Sequence, residues 1–210
     1  AFFITHSLPV RPPLRPMLQT ALGPRGFTVA YSALSLAALA WLIVAAGRAP
    51  FVPLWNWSPW QLYVPLVAML PVCLILALAI ARPNPFSFGG ALNAKFDPAR
   101  PGIVRLHCHP LLLALALWAT AHAVPNGDLA HLILFCTFAI FAILGTRLVD
   151  RRRQREMGDT WQKLRSEVAR TPLWPPSLTG NDALRLVAGL LLYATLIWLH
   201  PALIGVSPLP

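Results

Sequence analysis

Acidic side chains are scarce in this chain, with seven Asp and Glu among 210 residues, and all charged residues together make up only 11%. A soluble globular domain carries about 25% charged residues, so a water-soluble enzyme is the wrong class. The few carboxylates are also too scattered to form a catalytic acid/base pair. Cysteine is sparse as well: Cys73, Cys108 and Cys136 form neither CxxC nor CxxCH. That spacing excludes a disulfide framework and covalently attached c-type haem. No HExxH, glycine-rich phosphate loop or GxSxG is present, which removes the metalloprotease, P-loop and α/β-hydrolase classes. His107-Cys108-His109 has no second cluster to complete a zinc site.

Apolar sequence fills the space that charge leaves. Hydrophobic residues make up 57% of the chain, and the mean hydropathy is +0.61. A helix needs about 20 apolar residues to cross a bilayer. Residues 27–47 and 61–81 are each uncharged over that length, and the second contains Pro65 and Pro71. Further spans are predicted near 129–149 and 183–199, with a shorter one at 110–124 that either stops there or extends back through His107-Cys108-His109. The apolar Ala1–Leu8 segment reads as the end of a first, truncated span. Pro125-Asn126-Gly127-Asp128 is a turn followed by a helix-capping aspartate, so the flanking spans should form an antiparallel hairpin. The predicted fold is a single all-α domain over 1–210, a polytopic transmembrane bundle of about six spans.

The net charge of +10 does not point to nucleic acid, because the basic residues lie between apolar spans. Counted by loop, sixteen of the seventeen Lys and Arg fall on one side of the predicted topology, and Arg48 alone falls on the other. This asymmetry predicts a cytoplasmic basic side. It puts Trp55, Trp57, Trp60 and Tyr63 at the outer interface, where aromatic residues collect. Residues 150–170 hold seven basic and four acidic residues, and Met157, Trp161, Leu164 and Val168 repeat along one helical face. The expectation is an amphipathic helix on the inner leaflet, with Arg151, Arg152, Arg153 and Arg155 near anionic headgroups. A solvated tail helix fits the same pattern.

Six histidines stand out in so apolar a chain, because polar groups within a membrane are costly and often functional. The topology puts His6, His107 and His109 near the cytoplasmic side, and His122, His131 and His200 near the outer side. Two histidines facing each other at one depth could hold a b-type haem. Each taken singly could instead hydrogen-bond a carbonyl or a headgroup. By depth, His6 is better matched to His109 than to His122, since thirteen residues of helix rise about 20 Å.

The segment His109–Phe135 resembles the core of the NnrU family of bacterial membrane proteins. His109-Pro110 opens a helix, Trp118 to His122 follows, and then Asn126 to Leu129. His6-Ser7, Leu22-Gly23, Tyr31-Ser32 and Pro53-Leu54-Trp55 extend the similarity over most of the chain. One departure is Cys108, where the family usually has arginine before His-Pro. The family is related to the plant 15-cis-ζ-carotene isomerase, a haem b membrane enzyme. The resemblance therefore implies haem b as cofactor, with His6 and His122 as iron ligands and His109 as a further site residue. It implies a bacterial inner-membrane protein linked to nitrite and nitric oxide metabolism, or to cis–trans isomerisation of an apolar, carotenoid-like polyene. A non-catalytic subunit or assembly factor of a larger membrane complex is the alternative. The order of basic run, Gly158, Trp161, Leu164 and Trp174-Pro175 is also similar to the tail of isoprenylcysteine-methyltransferase-like enzymes. Those enzymes use an Arg-His-Pro to help bind S-adenosylmethionine, and Cys108 interrupts that motif here.

Overall fold

The computed structural model describes residues 8–9, 11–88, 92–173 and 180–210. These residues are all-helical. The helices are α1 (Leu14–Gly47), α2 (Tyr63–Ala79), α3 (Pro110–Ala123), α4 (Leu129–Met157), α5 (Asp159–Arg170) and α6 (Gly180–Ile204), with short 3-10 turns between some of them. Four segments are long and apolar enough to cross a membrane: Arg25–Gly47, Pro59–Ala79, Leu129–Met157 and Asn181–Ile204. The helix α3 is apolar but has only 14 residues. At 1.5 Å per residue it is about 21 Å long, against about 30 Å of hydrocarbon. It does not extend back through His107-Cys108-His109. Pro110 is its first residue and His109 is a non-helical cap at φ −121°, ψ 65°. Proline suits that first position because it needs no hydrogen-bonded N–H there.

The chain divides into two compact units, 1–54 with 128–134, and 55–127 with 135–210. In the first, α1 breaks at Gly23, where φ is 71° and ψ is 163°. The residue before a proline avoids the helical region, and glycine takes the positive φ at no steric cost. The Val52 carbonyl accepts from the Leu129 N–H at 3.0 Å. Asp128 caps α4 as the turn sequence implies. Its Oδ1 accepts from the His131 backbone N–H at 3.1 Å, and its Oδ2 lies 2.7 Å from the His131 Nδ1. Burial pushes the Asp128 carboxyl up, but the His131 backbone and ring and the Ala130 N–H outweigh it and hold the group below the usual range.

In the second unit α2 and α6 run antiparallel. Tyr193 donates to the Leu66 carbonyl at 2.8 Å, and Arg185 Nη1 donates to the carbonyls of Ala77 and Ile80, both at 2.8 Å. Arg82 forms an ion pair with Asp182 at the same end. Arg185 thus satisfies carbonyls left open at the end of α2. Gly189 allows the close approach: a Cβ there would lie 3.0 Å from Leu74 Cδ2, 3.1 Å from Leu74 Cα and 3.2 Å from the Cys73 carbonyl. Small residues let membrane helices pack in this way. Gly189→Val should cost about 2 kcal/mol through overpacking, read as a lower thermal midpoint in detergent. An unchanged midpoint would show that α2 and α6 separate without cost.

The predicted hairpin of α3 and α4 is present. Leu112 faces Gly145, where a Cβ would lie 3.4 Å from its Cδ1, Trp118 packs on Phe138 at 5.9 Å, and His122 lies 5.7 Å from Phe135. The partners step up one helix as they step down the other. Trp55 covers the far end of α3, its indole N–H donating to the Val124 carbonyl at 3.0 Å. Trp57, Trp60 and Tyr63 are exposed, as an interfacial belt requires.

The 150–170 helix needs correction. Asp150–Met157 continues α4, and Gly158 at φ 56°, ψ −135° separates it from α5. The apolar face of α5 also does not face lipid. Trp161, 8% exposed, and Val168, 4% exposed, pack with Phe86 and Val104. Trp161 meets Phe86 edge-on at 6.3 Å, and Met157 and Leu164 join the cluster. Arg153 is tied to the Ser87 carbonyl at 3.0 Å and, with Arg152, to Glu156. An apolar helical stripe seeks any apolar surface, and the 86–104 connection supplies it.

Candidate functional site

The histidines named from sequence fall at opposite ends of α3. His109 precedes its first residue and His122 is next to its last, about 20 Å apart along the axis. They do not share one site. His6 lies outside the described residues.

His109 is 2% exposed, and its Nε2 is 3.0 Å from Asp150 Oδ1 on α4. A carboxylate only accepts, so Nε2 carries the proton and Nδ1 holds the lone pair. That Nδ1 is buried with no partner among the described residues. Burial pushes the His109 imidazole below its usual pKa, against the upward pull of Asp150, so the ring is neutral near pH 7. The His109 backbone N–H donates to His107 Nδ1 at 3.1 Å. Asn84 fixes the preceding residue by donating to the Cys108 carbonyl at 2.9 Å. The Cys108 thiol accepts from Arg165 Nη1, and burial raises its pKa, which keeps it a thiol. His107, Cys108, His109, Asp150 and Arg165 border a cavity of about 320 Å³, lined also by Arg105, Thr146 and Val168.

At the other end, His122 Nδ1 lies 2.8 Å from the Trp118 carbonyl. A carbonyl only accepts, so Nδ1 carries the proton and Nε2 is the basic nitrogen, with no hydrogen bond to any described residue. The Trp118 and Phe135 rings flank the imidazole at 5.4 Å and 5.7 Å. Ala119 and Ala121 beside it are buried. An imidazole locked by a backbone carbonyl, with Nε2 left over, is the form in which histidine binds a metal. His122 therefore suits an iron ligand by donor chemistry. His109 has only Nδ1 left for such a role. His131 is tied to Asp128, and His200 Nδ1 lies 2.7 Å from the Val206 carbonyl. No cluster of three or more His, Cys, Asp or Glu able to hold a bare metal ion occurs among the described residues.

Asp150, Asn84 and Arg165 were not visible as site residues in the sequence. Asp150 was hidden as one charge in a charged run, and its histidine lies 41 positions away.

The family model described as NnrU protein matches residues 1–208. No curated protein and no solved structure matches the chain.

Proposed function

We propose, for a chain that belongs to the NnrU family, a membrane protein that binds b-type haem through His122. The observation that carries this reading is the 2.8 Å contact of His122 Nδ1 with the Trp118 carbonyl, which leaves Nε2 as a neutral, oriented ligand. His6 is the second ligand that the family resemblance implies. Haem, once bound, supplies a redox-active iron at a site walled by aromatic and aliphatic side chains. Those walls favour an apolar ligand, such as a carotenoid-like polyene awaiting cis–trans isomerisation. An anion such as nitrite would have to leave water for hydrocarbon.

The visible spectrum of purified protein tests this, taken with and without dithionite after expression with haem precursor supplied. A Soret band that sharpens and shifts on reduction, with a pyridine adduct of the b type, is expected. Protein that carries no haem under those conditions would falsify the proposal.

A further inference from the structure

The cavity beside His109 holds two guanidinium groups against one carboxylate, so its wall carries a net positive charge. Arg105 and Arg165 both line it, and neither appears in an ion pair among the described residues, where the carboxylates of Asp128, Asp150, Glu156 and Asp182 are taken by other cations or histidines. Asp150 is the one acidic side chain in the wall, and its Oδ1 is bonded to His109.

Both guanidiniums are held by contacts to neutral groups. Arg105 Nε donates to the Thr171 carbonyl at 2.7 Å, where the chain leaves α5, so both terminal nitrogens stay available. Arg165 sits over the Trp161 ring, 5.4 Å from its centroid, and touches the Cys108 thiol through one nitrogen. His107 accepts the His109 N–H on Nδ1, so in its neutral form its remaining ring nitrogen, Nε2, is a donor. The wall thus presents donors and positive charge in a fixed arrangement. Arg165 is exposed and Arg105 half-buried, so water screens their mutual repulsion and Asp150 offsets one of the two charges. What the pair offers a ligand is geometry, because arginine forks match phosphate oxygens in pairs.

We propose that this cavity binds a phosphate monoester group, carried by a soluble molecule or by an anionic lipid headgroup such as phosphatidic acid. At 320 Å³ the cavity is at the small end of ligand sites, which suits a phosphate with a short organic stem. The site is independent of the haem reading and lies at the other end of α3.

The test uses the full chain in phosphatidylcholine nanodiscs, titrated calorimetrically with glycerol 3-phosphate and inorganic phosphate. Parallel discs containing phosphatidic acid are scored for retained lipid by native mass spectrometry. Saturable binding of glycerol 3-phosphate identifies a soluble ligand, and retention of phosphatidic acid alone identifies a headgroup. Either supports the site. Arg105→Gln and Arg165→Gln should each weaken binding by about tenfold or more, in line with the loss of one charge-assisted pair. Arg165→Lys, which keeps the charge and loses the fork, should fall between. The exposed Arg100→Gln should leave binding unchanged. Absence of binding in every arm overturns the proposal, as does binding that both arginine variants preserve. So does a cavity that takes S-adenosylmethionine without competition from phosphate.

Discussion

In the haem-loaded protein, His122→Ala should abolish the Soret band, while His109→Ala should retain most of it. The two histidines differ in which nitrogen is left over. His122 has its Nδ1 proton directed to a carbonyl and its Nε2 unbonded, between Trp118 and Phe135. His109 has Nε2 bonded to Asp150 and sits at the polar end of α3. Removing an imidazole that would hold the iron should forfeit the haem, because little besides apolar contact would then retain it. A conservative His122→Met would keep an iron ligand and shift the reduced spectrum and the midpoint potential upward. His6→Ala should lose the band as His122→Ala does, because His6 is the second ligand that the family resemblance implies. The reverse pattern, with the band lost in His109→Ala and kept in His122→Ala, would transfer the haem to the Asp150 end and overturn the assignment.

Trp161→Ala should loosen α5 from the 86–104 connection and cost about 3 kcal/mol or more, the usual range for truncating a buried tryptophan. Trp161 touches Phe86 edge-on and carries Arg165 on its face. The substitution therefore removes both the anchor of α5 and the platform that fixes one cavity guanidinium. Hydrogen exchange should reach the amides of 159–170 earlier than in the parent, ahead of those in α2 and α6. An isolated 150–170 peptide that binds anionic vesicles would not contradict this, since the same stripe would be exposed in the peptide. Unchanged exchange in the full-length variant would contradict it, because α5 would then be held by something other than its apolar face.

Much of the fold was legible because hydrocarbon leaves few alternatives. Uncharged runs such as 27–47 and 61–81 have one stable solution in a bilayer, since every backbone N–H must be satisfied within the segment. Asp128 marked the start of α4 by local chemistry, and that start is where the sequence put it, whereas the sequence left open whether α3 reached back through His107-Cys108-His109, and the structure starts it at Pro110. The face of α5 was legible as a stripe, but its partner was not. Periodicity reports that a surface is apolar and does not report whether lipid or protein will cover it. Gly158 lies inside a helical pattern, and its positive φ depends on the chain turning there. The pairing of His109 with Asp150 was illegible for another reason: it depends on the register of α3 against α4, which no local feature of either segment sets. The same register brings His122 beside Phe135. The histidines could be named from sequence, but the nitrogen each would offer could not.

The brevity of α3 has a consequence for the lipid around it. Next to the 29-residue α4, a helix of 14 residues cannot match the same hydrocarbon thickness. The shortfall of about 9 Å must be met by local thinning of the bilayer or by protein and water at that depth. Irregular backbone is tolerated there only when protein buries it or when it faces an aqueous recess. The residues just before α3, Val104 to His109, form one side of the cavity. Hydrophobic mismatch on this flank would draw the aqueous boundary inward, so a polar molecule could reach His109 from the water without entering the oily slab.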